Sequence, residues 1–457
     1  MKKALILGLG LLMAAACQPK YSWENDLHGR LLRDFNKTRK DVTEYIQKYI
    51  PDVTEEQIDA WTADGRLEAM ELEGETLYFH NAGPNLFRID PECKAIKDEI
   101  EGTANLEKKP MGKTDEAITK NMDEVLATDD VFSAPKRMRV RYTIRVHENV
   151  VPQGKTVRCW MPYPRTDVER QREVKFLGAS CKVDALNYYK TQEIDSELIK
   201  FSDPECPHSS LYMETKAIKD FPITFQEEFE YTSYAESHRD LEKKVQPYDK
   251  ENPVYRKYTQ QRDKHIRFSP RIKALADSLT RGIENPYLQA KAIFTWVNDN
   301  FPWASAREYS TIENIPEYVL DNGHGDCGQV TLLFTTLCRY KGIPVHFQSG
   351  FMMHPDAWNL HDWAEIYFEG VGWIPVDQSF GIPTCRGLEA SFDENYFFLG
   401  GIDSWTMVVN NDYGCEMSPA KQYPRSETVD FQRGEVEWEG GNLYFGCWDW
   451  DMEITYL

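Results

Sequence analysis

The sequence predicts an α+β protein in three successive parts: a small helical and hairpin region, a β-sandwich-like module, and a C-terminal helix-and-strand domain that carries the chemistry. Three observations predict it. Apolar and polar residues alternate from Arg137 to Val146, the period of a half-buried strand. Val330, Leu333, Phe334, Leu337 and Cys338 recur at three- and four-residue steps, the period of a helix. Ser269-Pro270 and Asn285-Pro286 each put a capping side chain before a proline at the first helical position. A chain of 457 residues is also long enough for more than one core, at roughly 150 residues per domain.

The N-terminus reads as an address. Met1-Lys2-Lys3, the apolar run from Ala4 to Ala16 and then Cys17 form a bacterial secretion signal ending in a lipobox-like Ala-Ala-Ala-Cys. Residues 1–16 are then a leader outside the fold, and the Cys17 thiol is the lipidation site. Ala14 stands where leucine is commoner, which leaves plain cleavage without lipid open. The run is too short for an ordinary membrane span, and no later stretch is apolar enough to cross a bilayer. The expected location is therefore the cell envelope after export, with a lipid anchor as the only membrane contact.

Residues 17–130 read as the helical and hairpin region with a linker. Leu27, Leu31, Phe35, Val42, Tyr45, Ile46 and Tyr49 lie at helical spacing before Pro51, and Thr54-Glu55-Glu56-Gln57 is a capping box. Leu77-Tyr78-Phe79 and Leu86-Phe87-Arg88-Ile89 read as a small hairpin, and 104–130 as a charged linker or covering segment with at most one surface helix. Residues 131–235 read as the β-sandwich-like domain. Met138, Val140, Tyr142, Ile144 and Val146 face one way, and Arg137, Arg139, Arg141 and Arg145 the other, where Glu227, Glu228 and Glu230 are expected to pair with them. Val157–Met161 and Phe225–Tyr231 supply further strands. Residues 236–457 read as the catalytic domain, finished by strands at Tyr396–Leu399 and Trp405–Val409, with the aromatic tail Trp448–Tyr456 packing back on it.

The chemistry is written in Gly325-Asp326-Cys327-Gly328-Gln329, His361-Asp362-Trp363-Ala364-Glu365 and Trp373-Ile374-Pro375-Val376-Asp377. Asp326 with Gln329 makes a variant capping box, which puts Cys327 at the first helical position, where unpaired N–H groups and the helix dipole favour a thiolate. Helix N-termini or a neighbouring imidazolium bring a cysteine from a pKa of about 8.5 to roughly 3.5–7.5. His361 and Asp377 fall on strands joined by the turn Glu369–Gly372, so the carboxylate can hold one ring nitrogen and leave the other for sulfur. His324 and His354 are rival bases, and His324 also forms His-x-x-Cys, although no second ligand pair at zinc-like spacing accompanies it.

At these residues the chain resembles the transglutaminase-like superfamily of cysteine acyl-transfer enzymes, in its bacterial branch. The resemblance runs from Asn285-Pro286 through Ala-Ile-Phe-Thr-Trp-Val, Gly-Asp-Cys-Gly, Gly-Ile-Pro-Val and the tryptophan-containing histidine strand to Gly-Trp-Ile-Pro-Val-Asp. It implies a papain-like thiol fold, Cys327 as nucleophile, His361 as base and then acid, Asp377 as orienter, and no cofactor or metal. It also marks Trp303 as an oxyanion or cleft candidate beside the Cys327 N–H, with simple packing as its competing reading. Two departures stand out. Asp362 follows the histidine where the family has a small residue, and Gln378 replaces a proline.

Composition narrows the partners. A net charge of −21 argues against a nucleic-acid partner, which needs concentrated positive charge to displace counterions. Setting Cys17 and Cys327 aside, the scattered Cys93, Cys159, Cys181, Cys206, Cys338, Cys385, Cys415 and Cys447 permit disulfides without requiring them. The sequence thus predicts an envelope thiol enzyme acting on peptide, protein or peptidoglycan-like amides, with hydrolysis preferred to amine cross-linking. The alternative is a peptide- or glycan-binding lipoprotein that keeps the fold without turnover.

Overall fold

The computed structural model describes residues 22–102, 113–183, 191–192, 199–383 and 392–457. The leader, Cys17 and Cys385 lie outside them. No helix among the described residues is long and apolar enough to cross a membrane. Among the described residues the architecture is mixed α and β, with four sheets and three main cores.

The N-terminal unit packs the helices Trp23–Asp34, Arg39–Ile46 and Glu55–Ala63 on a three-stranded sheet, where Glu75–Phe79 lies between Phe35–Lys37 and Ala69–Leu72. The expected capping box forms: Thr54 accepts from the Gln57 N–H and Gln57 accepts from the Thr54 N–H. Two expectations need correcting. Phe35 ends the first helix and enters the sheet, so the helical run to Tyr49 is two helices. Leu86–Ile89 is not a strand; it lies in the helix Ala82–Ile89, with Leu86 and Phe87 buried. Four apolar residues are too few to distinguish the two periods. The hairpin partner of Leu77–Phe79 is instead Ala69–Leu72, joined through Glu73 and Gly74, both at positive φ (53° and 84°) as a two-residue I′ turn requires.

The sandwich forms as expected, but four of its strands among the described residues come from farther along the chain, between Gly401 and Tyr456. One sheet runs Trp448–Tyr456, Phe132–Val146, Ile223–Ser237, Gln171–Val183 and Thr191–Gln192, with Gly401–Ile402 at the edge of Ile223–Ser237. The facing sheet runs Gly441–Asn442, Glu435–Trp438, Thr156–Pro162, Ser210–Lys216 and Lys200–Phe201. Val140, Tyr142, Ile144, Trp160, Phe225, Phe229 and Val436 fill the space between them. Glu228 and Glu230 pair with the arginine face as expected: Arg139 lies opposite Glu230 at 2.6 Å, and Arg141 reaches Glu228 at 3.4 Å and Glu453 at 3.1 Å. Glu227 does not; by the strand alternation it falls opposite Tyr142 on the core face, where it is buried and unpaired.

The tail therefore does not pack back on the catalytic layer. Its alternation of Trp448, Trp450, Met452 and Ile454 with Asp449, Asp451 and Glu453 complements the apolar and arginine faces of Phe132–Val146 residue by residue. Trp450 stacks on Tyr142 at 5.9 Å.

The remaining layer sets the helices Pro270–Leu279, Pro286–Asn300, Ile315–Asn322 and Cys327–Tyr340 against a four-stranded antiparallel sheet. Its order is Gly372–Val376, Asn359–Phe368, Val345–Met352, Thr406–Asn410. Ser269 and Asn285 cap their helices with proline at the start, as predicted. Cys327–Tyr340 is buried on every face from Gly328 to Arg339, because the other helices enclose what the sheet leaves uncovered. Thr331 and Thr335 on its polar side have buried, unpartnered hydroxyls. Tyr396–Leu399 forms turns with a single bridge from Leu399 to Val376 in place of a strand. The helix Lys113–Leu126 is a covering element whose Ile118, Met122 and Val125 enter the same core.

Candidate active site

Cys327 opens its helix as the sequence required. Asp326 is the N-cap, its side chain accepts from the Gln329 N–H at 3.1 Å, and the Gln329 side chain accepts from the Asp326 N–H at 3.2 Å. Gly328 permits a close approach: a Cβ there would lie 2.4 Å from the Tyr309 hydroxyl and 2.6 Å from Asp362 Oδ2. The nucleophile candidate therefore sits against Tyr309 and Asp362, and only a glycine at 328 leaves room for them.

His361 and Asp377 meet. The strand register places Ala364 opposite Val376, and the His361 Nε2 to Asp377 Oδ2 distance is 2.6 Å. Asp377 is held from its other oxygen, since Oδ1 accepts from the backbone N–H groups of Ser379 at 3.1 Å and Phe380 at 2.9 Å. The Asp377 N–H donates to Phe398 O at 2.9 Å. Gln378 does not disturb this turn: its side chain leaves the site and donates to Phe294 O at 3.1 Å. With Nε2 engaged by Asp377, Nδ1 is the ring nitrogen left for substrate chemistry. Burial disfavours the charged ring, but Asp377, with Asp362 and Asp403, outweighs it and holds the His361 pKa above its ordinary value.

The sulfur differs from expectation. Its hydrogen-bond partner is Asp362, with Sγ to Oδ2 at 3.5 Å. Burial, followed by the charges of Asp362 and Asp326, pushes the thiol well above the usual cysteine range. The helix N-terminus does not prevail, because burial first, and then the two carboxyls within the same enclosure, oppose it. Those carboxyls are perturbed too. Burial, reinforced by Asp326, pushes Asp362 up to about 8, and burial pushes Asp326 up to about 6 despite its bond from the Tyr309 hydroxyl at 2.6 Å. At neutral pH Asp362 is mostly a neutral acid and places little full charge against the sulfur.

Cys327, His361 and Asp362 line one cavity of about 570 Å³, together with Trp303, Tyr309 and Phe380. Trp303 is 51% exposed at its rim, next to Gly325 and beneath the Arg88 guanidinium at 5.1 Å. His354 is fully buried on Asp403 at 2.8 Å, and burial takes His324 down to about 4; neither lines this cavity. Among the described residues no group of three or more His, Cys, Asp or Glu side chains is placed to hold a metal ion.

Sequence reasoning missed the far wall. Gln432 donates from Nε2 to His361 O and to Asp362 Oδ1, each at 2.8 Å, and so fixes the acid that faces the sulfur. Arg433 bridges Glu308 at 2.8 Å and Glu427 at 2.5 Å. The N-terminal unit braces the same wall: Asp34 accepts from the Glu308 N–H at 3.1 Å, and Asn85 pairs twice with the Ser305 backbone. These residues sit far from the three motifs along the chain, so no local spacing announces them.

Residues 273–378, which include Cys327, His361 and Asp377, match the Transglutaminase-like superfamily. No curated protein matches the chain. Among solved structures, the chain is similar to one from Cytophaga hutchinsonii described as a "Putative Cysteine Protease", at 15% identity and TM-score 0.44 over 71% of this chain and 92% of that one. It is also similar to the periplasmic domain of TgpA from Pseudomonas aeruginosa, at 14% identity and TM-score 0.29 over 54% and 90% of the two chains.

Proposed function

We propose, for a chain whose residues 273–378 form a transglutaminase-like core, that the protein is a thiol-dependent acyl-transfer enzyme working through Cys327, His361 and Asp377. The observation that carries the proposal is His361, on the wall of the cavity that also holds Cys327, paired from behind with Asp377 at 2.6 Å. Because the resting thiol is held protonated, His361 acts as a general base during attack and does not wait beside a preformed ion pair. Nδ1 takes the Sγ proton as sulfur bonds to the amide carbonyl carbon. The developing oxyanion meets the Cys327 N–H, with Trp303 as the second donor candidate. The imidazolium, stabilised by Asp377, returns that proton to the leaving amine as the C–N bond breaks, which leaves a thioester. Water, deprotonated by His361, then releases a carboxylic acid and restores the thiol.

Hydrolysis is the outcome we favour over amine cross-linking. A cavity of about 570 Å³ walled by carboxyl groups retains water beside the thioester, and amine transfer needs water excluded. Peptide, protein and peptidoglycan-like amides are the donor classes, and the leader ending at Cys17 supports lipid-anchored residence in the envelope. A peptide library incubated with and without a labelled primary amine, read by mass, tests the reading. Hydrolysis that disappears in Cys327→Ala supports it, and amine incorporation without hydrolysis reverses the preferred outcome.

A second reading has an observation in its favour. The thiol bonded to Asp362, and raised rather than lowered, fits a binding lipoprotein that retains the fold without turnover. Library peptides that bind but are never cleaved or transferred would select it.

A further inference from the structure

The cavity beside Cys327 is lined by more carboxyl groups than its own cations pair with. Arg433 is consumed by Glu308 and Glu427, and Arg307 is paired with Glu68 at 3.3 Å. Asp326 is occupied as the helix cap, and Asp362 accepts from Gln432. Asp430 is different. It is 7% exposed, it lines the cavity, and among the described residues its carboxylate has no hydrogen-bond or ion-pair partner. The nearby Arg425 donates to the Asp430 backbone carbonyl instead. The charges of Arg433 and Arg425 reach it only without contact. An enclosed carboxylate with no direct partner is costly, and the cost is reduced when a ligand supplies a cation in contact with it.

We propose that this acidic wall is a subsite for a cationic group of the substrate, an ammonium or a guanidinium, with Asp430 as its counter-ion. An anion would meet the carboxyls of Asp430, Asp362 and Glu427 together, and a neutral group would bring Asp430 no cation in contact. Burial, with Glu427 and Asp362 close by, pushes the empty-site Asp430 carboxyl well above the usual carboxylate range, the strain an arriving cation relieves. The held cation is a bystander that positions the acyl donor. It is not the attacking amine, because an ammonium has no lone pair. The proposal deepens the acyl-transfer reading and rests on it only in calling the occupant a substrate.

Calorimetric titration of the full chain carrying Cys327→Ala, at about 0.15 M salt to screen the general negative field, tests the subsite without turnover. The probes are three peptides: N-acetyl-Ala-Lys-Ala-amide, its norleucine isostere, and that isostere with a free α-amino group. We expect a cationic member to bind about tenfold more tightly than its neutral counterpart, the value of one charge-assisted contact. Asp430→Asn in the same background erases that preference and leaves the neutral peptide's affinity unchanged, which also reports an intact fold. Preference for the lysine peptide assigns a side-chain cation, and preference for the free amine assigns a peptide N-terminus. Equal affinities for charged and neutral members overturn the proposal. So does a preference that survives Asp430→Asn, or no measurable binding of either cationic peptide. Charge-selective binding with no Cys327-dependent cleavage of the same peptides would instead overturn the acyl-transfer reading and leave the subsite standing.

Discussion

Asp362→Asn should make Cys327 more reactive at alkaline pH and leave it nearly unchanged below neutrality. The substitution keeps the side chain's shape and an oxygen able to accept from Gln432 Nε2, but it removes a charge 3.5 Å from the sulfur. Above about pH 8 that carboxyl is ionised and opposes the thiolate. At 3.5 Å two unit charges repel by about 1.2 kcal/mol at the dielectric of water and about 4.7 kcal/mol at an effective value near 20. Cys327 is half-buried, so the lower figure is the safer floor; it corresponds to roughly an eightfold change in thiolate population. Below the Asp362 transition the carboxyl is neutral in both proteins and the difference shrinks toward one. The assay is iodoacetamide alkylation followed by peptide mass spectrometry, which isolates Cys327 from the other thiols, at pH 6.5 and pH 9. We expect about an eightfold or larger rate gain at pH 9 and less than about twofold at pH 6.5. An unchanged or slower rate at pH 9 would refute the assignment of Asp362 as the charge that suppresses this thiol.

Three further outcomes follow from particular contacts. Asp377→Asn removes the carboxylate that raises His361, so the His361 ring signal should titrate at lower pH by NMR; hydrolysis should fall about 10²–10⁴-fold, and a ring that titrates as before would contradict the pairing. Arg433→Met leaves Glu308 and Glu427 facing each other without their shared cation and should cost about 3–5 kcal/mol in denaturant unfolding, with partial recovery when both glutamates become glutamine. Glu227 is 0% exposed with both carboxylate oxygens unpartnered, and burial raises its pKa. A raised acid binds its proton more tightly folded than unfolded, so its contribution is intact below the unfolded value and is lost as pH rises toward the folded one. Glu227→Gln should therefore gain stability over wild type by about 1.4 kcal/mol per pH unit above roughly pH 5, and a pH-independent difference would count against it.

The parts of the molecule legible in the sequence are those set by local patterns. Asp326 with Gln329 fixed where the Cys327 helix begins, Ser269-Pro270 and Asn285-Pro286 fixed two more helix starts, and the alternation through Met138–Val146 fixed a sandwich strand. The His361–Asp377 contact was inferable because one short turn joins their strands. What remained hidden depends on distant pairing. Trp448–Tyr456 reads as a strand but does not say which strand it joins, and only the arginine face of Phe132–Val146 selects it. The thiol environment is hidden for the same reason. The capping box of Asp326 points to a thiolate, whereas burial of the sulfur, and then the charges of Asp362 and Asp326, act against it. Tyr309, in the short 3-10 helix Tyr309–Thr311, is far along the chain from the single loop that carries Asp430 and Gln432, and their convergence exists only in the fold.

The central claim is that Cys327 carries the acyl group. Rapid acid quench of the full chain during cleavage of a peptide library, followed by mass mapping of the Cys327 peptide, tests it directly. The account predicts an acyl adduct on Cys327 that hydroxylamine removes and that is missing, with all product, from Cys327→Ala. Product formed by Cys327→Ala at the wild-type rate, or turnover with no acylated Cys327 at any quench time, would contradict it.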